Sequence, residues 1–296
     1  MVVSYLKLTA APILWGGALV AGRVVAADLP PITITWVRYI LVSLFLIPTL
    51  RLRTGSFPKP GRRDLLLLLA LTVTGVLLFN VFLFSGLRTV TAVRSSVIIA
   101  LAPSAVALIL ILFFHQRGSL NTWTGIVVAF IGAVITITEG RPQTVIAGGL
   151  SVGDIYLIGA FLAWAVYTII AGAAMRELSP FTVLTYSSLL GVVLLTPFAA
   201  RPGVIAELAS QNTAAWGAIV YLSIGSAGVA YLFYYEGIRD VGPNGAAIFL
   251  NLEPVSAIAL GVILLGEALT VPVIIGAILV VTGLYLVNRP EHTRGT

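Results

Sequence analysis

The chain has 296 residues, of which 59% are apolar, only 9% are charged and none is cysteine; the formal net charge is +6. A mean hydropathy of +1.06 lies far above what a soluble core needs, so the composition indicates a polytopic membrane protein. The length then corresponds to roughly ten spans of about 20 residues, with no room for a soluble domain. The absence of cysteine excludes disulfides, thiolate metal sites and cysteine nucleophiles.

Ten apolar stretches are predicted to be transmembrane helices, because an open strand cannot satisfy its backbone in lipid. The first stretch lacks the charged start and the small-residue cleavage site of a secretory signal, so we expect it to be retained. Turn-forming segments such as "DLPP" and "DVGPNG" separate the stretches. In chain order the predicted helices span residues 8–27, 32–50, 65–85, 92–113, 122–138, 153–173, 182–199, 213–236, 244–266 and 271–287.

Lysine and arginine are distributed unevenly between the two sides that ten crossings define. Because positive charge remains on the cytoplasmic side, both termini are predicted to be cytoplasmic. The "RLRTGSFPKPGRRD" segment is interpreted as a topology determinant, with a contact to anionic lipid as the alternative. The richer side holds Lys7, Arg51, Arg53, Lys59, Arg62, Arg63, Arg117, Arg176, Arg239, Arg289 and Arg294. The opposite side holds Arg88, Arg94, Arg141 and Arg201.

The two halves of the chain repeat each other. The segment "LWGGALVAGRVVAADLPPITI" aligns without a gap on "AWAVYTIIAGAAMRELSPFTV", about 150 residues later. Each half holds five spans, an odd number, so the second copy must enter the membrane in the opposite sense. The predicted fold is an all-α bundle of ten transmembrane helices made of two inverted five-helix repeats, residues 1–140 and 150–290. Matched pairs are Trp15 with Trp164, Pro31 with Pro180, Gly86 with Gly237, Pro103 with Pro254, Gly125 with Gly276 and Gly132 with Gly283.

An inverted repeat places a substrate site near the membrane midplane, where the halves meet, and suits alternating access. The tryptophan in the first span of each half, the segment "LEPVSAIALGVILLGEALT" and the last helix "GAILVVTGLYLV" resemble the drug/metabolite transporter superfamily, in its ten-helix EamA-type branch. This resemblance covers essentially the whole chain. The first half departs from the pattern, because Ala102 stands where the second half has Glu253.

The resemblance implies an inner-membrane secondary transporter that exports small metabolites, amino acids among the commonest, and that uses no cofactor. Aromatic amino-acid exporters of the YddG group are one close candidate. Two alternatives remain open, namely export of organic cations or drugs, and uncoupled passage through a facilitator or channel. A channel would usually show a filter or a ring of like charges, which the few buried charges of one chain do not suggest.

Glu253 is a carboxylate close to the middle of the ninth predicted span, where an unpaired charge is expensive. The functional interpretation is a proton-coupling group or a contact for a substrate ammonium. The structural alternative is a hydrogen bond to backbone freed by Pro254, which removes one helical donor and kinks the span. Pro103 predicts the same kink in the fourth span without an acid, so both prolines are candidate conformational elements.

Arg38 lies about six residues into the second predicted span, deep enough to be a conformational or coupling residue. It is a candidate for fixing a substrate carboxylate. A structural ion pair with Asp28 or Glu236 is the favoured interpretation.

Aromatic and amide side chains at membrane depth predict a cavity for an amino acid or organic cation, which needs π faces and a few hydrogen-bonding groups. The alternatives are the interfacial aromatic belt and amides that only hold helices together. Trp15 and Trp164 occupy matching mid-helix positions, which favours the cavity. The predicted substrate-binding residues are Trp15, Asn80, Phe84, Trp164, Tyr167, Tyr231, Tyr234, Asn251 and Glu253.

Paired glycines seven residues apart lie along one face of the fifth and tenth predicted helices, at Gly125 and Gly132 and at Gly276 and Gly283. They predict close packing of these two helices within the bundle, with the seam of a homodimer as the alternative.

An enzyme is not expected. The two histidines, His115 and His292, lie in a loop and in the tail, so neither a Ser-His pair nor a histidine metal site has a candidate. The sequence has no "GxxxxGK[ST]" phosphate loop, so ATP is not expected to drive it directly. The expected partners are a small-molecule substrate and the lipid bilayer, and no nucleic acid.

Overall fold

The structure is a computed structural model that describes residues 2–141, 143, 150–242, 245–246 and 248–288. Within these residues it is helical and contains no strand, which confirms the predicted all-α polytopic membrane fold. Nine of the described helices are long and apolar enough to cross a membrane, and a tenth is apolar but shorter. In chain order the helices are α1 (Val2–Ala26), α2 (Pro31–Thr54), α3 (Arg62–Leu87), α4 (Ala92–Phe114), α5 (Leu120–Thr138), α6 (Val152–Ala174), α7 (Pro180–Ala199), α8 (Thr213–Val241), α9 (Ile248–Leu265) and α10 (Val271–Val287).

The starts of α5, α6 and α7 lie within two residues of their predicted positions because local capping residues define them. The hydroxyl groups of Ser119, Ser151 and Ser179 accept hydrogen bonds from backbone amides three residues later and begin these helices. Helix α1 begins six residues earlier than predicted, at Val2. Arg289, His292 and Arg294 lie outside the described residues.

Four helices, α3, α4, α8 and α9, depart from the uniform α-helices that the sequence predicts. The middle of α3, Thr72–Leu78, and the middle of α8, Tyr221–Val229, are π-helical. Helix α4 is interrupted at Ala100 and Leu101, directly before the helical turn that contains Pro103. A proline cannot donate to the preceding turn, which explains the interruption.

Helix α9 begins as a 3₁₀ turn at Ile248–Asn251 and becomes α-helical at Leu252. Glu253 and Pro254 therefore lie in the first turn of the α-helical part, and the predicted position of Glu253 deep inside a continuous helix is wrong. A proline in the first turn is tolerated because that N–H has no partner within the helix. Pro254 therefore lies just after a junction between a 3₁₀ turn and an α-helix, and not at a kink inside one continuous α-helix.

Helices α5 and α10 pack against each other along their glycine faces. A Cβ atom on Gly132 would lie 2.6 Å from the carbonyl oxygen of Gly276, and one on Gly283 would lie 2.6 Å from that of Gly125. Only glycine permits this approach of two backbones. The glycine faces are occupied within the bundle, so a homodimer seam would have to use other surfaces of these helices.

Ion pairs join the helices at both ends of the bundle. At one end, here the Glu236 end, the Glu236 carboxylate accepts from Lys7 at 2.6 Å and from Arg53 at 2.5 Å, which links α8 with α1 and α2. At the other end, here the Arg94 end, the guanidinium of Arg94 pairs with Asp154 at 2.7 Å and links α4 with α6.

Replacing Gly132 by alanine tests the packing of α5 on α10. The added methyl group meets a backbone carbonyl that cannot move alone, so we expect the free energy of unfolding to fall by about 1–3 kcal/mol. The matched control is Gly217→Ala in α8, where a Cβ atom meets nothing within 4 Å. Thermal unfolding in detergent should place Gly132→Ala below wild type and Gly217→Ala at or above it. Equal melting temperatures for the two variants would contradict the packing.

Candidate functional site

Arg38 is the most deeply buried cation of the described residues that span the bundle, with 8% of its surface exposed. Its guanidinium donates to three neutral acceptors: Asn80 Oδ1 at 2.5 Å, the Leu222 carbonyl at 3.0 Å and Ser226 Oγ at 3.4 Å. A charge at this depth is tolerated because hydrogen bonds replace its hydration. The guanidinium thereby connects α2 with α3 and α8.

The predicted ion pair of Arg38 is wrong. Glu236 is held by two cations at the Glu236 end, and Asp28 is exposed in the connection between α1 and α2. Arg38 instead donates to a carbonyl, an amide and a hydroxyl group. No local sequence pattern identifies these neutral partners.

Asn80 couples the two π-helical segments through Arg38. Its amide nitrogen donates to the carbonyl oxygens of Gly75 at 2.9 Å and Val76 at 3.0 Å, both in the π-helical part of α3. Its oxygen accepts from Arg38, which in turn donates to the π-helical part of α8. A π-helical turn shifts the backbone hydrogen bonds by one residue, which opens carbonyl groups to side-chain donors.

The same bonding leaves Asn80, a predicted substrate-binding residue, without a free polar atom in this structure. Its side chain is 1% exposed, and every donor and acceptor it carries has a partner within the bundle. Phe84, which is also predicted to bind substrate, is fully buried in the apolar core, against α1 at Gly22. Neither side chain faces a space that a solute could enter in this structure.

Trp15 forms the centre of an aromatic group between α1 and α8. Its ring lies edge-on to Tyr231 at a centroid distance of 5.0 Å and to Tyr234 at 5.3 Å, and Tyr235 contacts both tyrosines. The indole nitrogen donates to the carbonyl of Ser226 at 3.1 Å, within the π-helical part of α8. These four aromatic residues, here the Trp15 cluster, are half-buried.

A second aromatic group lies between α3 and α6. Trp164 stacks on Tyr167 at a centroid distance of 4.8 Å and contacts Phe79 at 4.7 Å. Gly75 makes room for the Tyr167 ring, because a Cβ atom there would lie 2.7 Å from Cε2 of that ring. Phe79, Trp164 and Tyr167 are here the Trp164 cluster.

The two clusters face each other across the interior. Tyr167 of the Trp164 cluster interacts electrostatically with Tyr231 and Tyr235 of the Trp15 cluster. Arg38 also interacts electrostatically with Tyr231, so the guanidinium lies near the region between the two clusters, here called the gap. Rings and hydroxyl groups from α1, α3, α6 and α8 thus converge on one half-buried region near the π-helical segments.

Glu253 borders this region from α9. Helix α9 packs directly on α1, since a Cβ atom on Gly16 would lie 2.7 Å from the carbonyl oxygen of Glu253. Its side chain is half-buried and interacts electrostatically with Tyr234. Among the described residues its carboxylate has no hydrogen bond and no ion pair, so the predicted bond to backbone beside Pro254 is not found.

Asn251 lies two residues before Glu253, is half-buried, and donates to the Ile248 carbonyl at 3.2 Å. It therefore closes the 3₁₀ turn of α9.

Sequence reasoning missed two polar residues of this region. These are Tyr39, whose hydroxyl accepts from Asn80 at 3.3 Å, and Ser226, which contacts both Arg38 and Trp15. The available signal was the run of small and hydroxyl-bearing residues in "YLSIGSAGV", which suits a distorted helix with accessible carbonyls.

A separate groove lies on the outside of the bundle, between α4 and α5. Its volume is about 520 Å³, and it has no polar lining. The side chains that line it include Leu108, Ile126 and Phe130. An apolar groove on a membrane-spanning surface suits lipid chains, and it is remote from the aromatic clusters.

Among the described residues, no three His, Asp or Glu side chains come together as metal ligands would. The two clusters and Glu253 together offer π faces, phenolic hydroxyl groups and one carboxylate. Such a set can bind and orient a small solute.

Comparisons with known proteins agree with this architecture. The sequence profile of the EamA-like transporter family matches residues 3–138 and 151–289. The uncharacterized transporter YyaM of Bacillus subtilis (strain 168) is 26% identical over 257 residues, which cover 86% of this chain and 83% of that protein. An uncharacterized transporter of Archaeoglobus fulgidus is 30% identical over 279 residues, which cover 93% and 95%.

One solved crystal structure shares the fold, with a TM-score of 0.62 and 19% sequence identity over 96% of this chain and 95% of that one. None of these relatives is named for a substrate, so the likeness to aromatic amino-acid exporters of the YddG group stays a prediction. The chain belongs to the EamA-like transporter family of the drug/metabolite transporter superfamily and is a multi-pass membrane transporter.

Proposed function

We propose that this transporter exports amino acids or similar small metabolites across an inner membrane, by alternating access through a cavity between its two predicted halves. Both termini then lie in the cytoplasm, as the charge distribution predicts. The observation that carries the proposal is the meeting of the Trp15 and Trp164 clusters. They are built from α1 and α3 of the first half and from α6 and α8 of the second.

The character of the two clusters supports a binding cavity. Their rings are half-buried in a bundle whose other interior contacts are mostly apolar, and tyrosines of the two clusters interact electrostatically with each other. Solute sites in proteins combine apolar and aromatic walls with a few polar groups that orient the ligand. An arrangement at the interface of two halves also allows each half to contact the solute in both orientations of the carrier.

Contacts at the Arg94 end support a closed passage on that side. The carboxylate of Glu267, which follows α9, accepts from the backbone amides of Ala92 and Val93, each at 2.8 Å. This anion satisfies free N–H groups at the start of α4 and complements the helix dipole there. Arg94, one residue later, is tied to Asp154 of α6. The start of α4 is thus fastened to α6 and to the segment after α9.

The two halves of helix α4 share some neighbours and differ in others. Both halves contact α5, α6 and α10, and the half before the interruption, Ala92–Ile99, also packs against α1 and α9. The N–H of Leu101 bonds to the carbonyl of Ile98, three residues earlier, so the regular α-helical ladder is broken there, and Pro103 prevents it from continuing. This interruption is the proposed hinge. Pro254, at the helix-type junction of α9, is the matching candidate in the second half.

An uncoupled facilitator or channel is the rival function. A carrier with one site gives counterflow, in which an excess of unlabelled solute inside liposomes drives accumulation of labelled solute, and a pore does not. Purified protein in liposomes preloaded with mixed amino acids should therefore accumulate some labelled amino acids and exclude others. Accumulation of none, from protein shown to be folded, would contradict amino-acid export.

Replacing Trp164 by alanine tests the cavity itself. Loss of the stacked ring should raise the apparent dissociation constant of the exchanged solute about tenfold, since aromatic contacts contribute around 1 kcal/mol or more. The matched control is Trp123→Ala on α5, where the ring is 41% exposed on the outside of the bundle. Counterflow at graded solute concentrations measures both variants. Wild-type affinity in a folded Trp164→Ala protein would assign Trp164 to packing alone.

Replacing Glu267 by glutamine tests the closure at the Arg94 end. The charge-assisted bonds to the start of α4 weaken, so we expect this end to open more often. A single cysteine at Ala100, in a chain that has no other, should then react several-fold faster with an impermeant maleimide added from that side. Glu207→Gln is the control, because that carboxylate pairs with Arg201 in the connection after α7 and not with α4. Equal labelling rates in all variants would exclude Glu267 as a closing contact.

A further inference from the structure

Glu253 differs from the other acidic side chains of the described helices. Glu236 is shared by two cations, Asp154 is paired with Arg94, and Glu267 accepts two backbone amides. Among the acidic residues of the described helices, Glu253 alone accepts no side-chain hydrogen bond and makes no ion pair. A half-buried carboxylate without a partner costs free energy, and a bound cation would offset that cost.

The surroundings of Glu253 suit an organic cation. Tyr234 interacts electrostatically with the carboxylate and contacts Trp15, whose ring is also edge-on to Tyr231. Trp and Tyr rings attract ammonium groups through their π faces, and phenolic oxygens accept N–H donors. A carboxylate beside such rings provides charge, apolar contact and hydrogen-bond acceptors within one site.

The cations near the clusters offer little to a substrate carboxylate. Arg38 is 8% exposed and already donates to Asn80, Leu222 and Ser226. Lys7 and Arg53 are held by Glu236 at the end of the bundle. The charges around the gap are therefore asymmetric, with a free anion and no free cation among the described side chains of this region.

We propose that Glu253 and the Trp15 cluster form a subsite for the ammonium or other cationic end of the substrate, and that a substrate carboxylate is not required. This inference rests on the proposed function, because it names the chemical class of solute for the same cavity. It predicts that amines and other organic cations with an apolar body are recognised at least as well as the corresponding amino acids.

Three probes that share a phenyl ring and differ in charge test the subsite. These are 2-phenylethylamine, which is a cation, L-phenylalanine, which carries both charges, and 3-phenylpropionate, which is an anion. Calorimetric titration of the purified protein should show 2-phenylethylamine binding at least as tightly as phenylalanine, and 3-phenylpropionate binding at least tenfold more weakly. Binding of the anion as tight as that of the amine, or no binding of the amine to folded protein, would overturn the proposal.

Variants of Glu253 and Trp15 then test whether the cationic end of the probe binds at this subsite. Glu253→Gln keeps the size of the side chain and removes its charge, so affinity for 2-phenylethylamine should fall at least tenfold. Trp15→Leu should weaken it as well, while Glu177→Gln, which removes a 60% exposed carboxylate, should leave it unchanged. Unaltered affinity in a folded Glu253→Gln protein would overturn the assignment. If that variant does not fold, the order of the three probes on wild type still decides.

Failure of the cation subsite and failure of the proposed transport function would give different results. Counterflow of phenylalanine without preference for the amine would retain the transporter and overturn the cation subsite. Tight binding of 2-phenylethylamine without counterflow of any solute would retain the subsite and contradict carrier function. A proton is the other cation that can occupy Glu253, and binding of the amine should then release protons, which titration in buffers of different ionisation enthalpy detects.

Discussion

The hydrogen bonds of the Arg38 guanidinium are the interaction on which the interior of this transporter depends. A charge inside a membrane-spanning bundle must find its partners within the protein, since lipid offers none. Here the partners are an amide, a hydroxyl and a carbonyl, supplied by Asn80, Ser226 and Leu222. Because Asn80 also donates to carbonyl groups of the π-helical part of α3, one guanidinium fixes the relative positions of α2, α3 and α8.

The geometry of the aromatic clusters follows from the same interaction. Ser226 accepts from Arg38 through its hydroxyl and from Trp15 through its carbonyl, which holds α1 against α8. Tyr231 and Tyr234 are then placed beside the Trp15 ring, and Gly75 admits Tyr167 from the other side. The outer pair α5 and α10, by contrast, is joined by glycine contacts that leave little freedom. The outer helices are thus packed closely through glycine, whereas the inner helices are distorted and joined by polar contacts.

The sequence predicts the helices well and the partners of polar residues poorly, for different physical reasons. Membrane spans are determined by the length of apolar stretches, which is a local property, and the seven-residue spacing of Gly125 and Gly132 identifies a helix face directly. The partner of Arg38 depends on which carbonyl groups a distorted helix exposes, and no local pattern distinguishes a π-helical turn from an α-helical one. Charge matching therefore favoured Asp28 or Glu236, and the neutral partners were missed.

The burial of single side chains is hard to predict for a related reason. Phe84 and Asn80 are at helical spacing from each other and lie in an apolar span, and both are buried against neighbouring helices, whereas Trp15 and Trp164 are half-buried. Which side of a helix faces a cavity depends on the packing of several helices, and a bundle that is apolar on nearly all faces gives no hydrophobic period to reveal it. Contact of Trp15 and Trp164 with a solute stays a prediction.

Distance measurements between spin labels test alternating access most directly. The absence of cysteine allows two unique label pairs, Leu112 with Ile248 towards the Glu236 end and Arg88 with Leu269 towards the Arg94 end. In lipid nanodiscs, addition of an exchanged solute should change the label-to-label distances of the two pairs in opposite senses, so that one distance shortens as the other lengthens. Distances that stay fixed at both ends, or that change in the same sense, would contradict a carrier that opens to one side at a time.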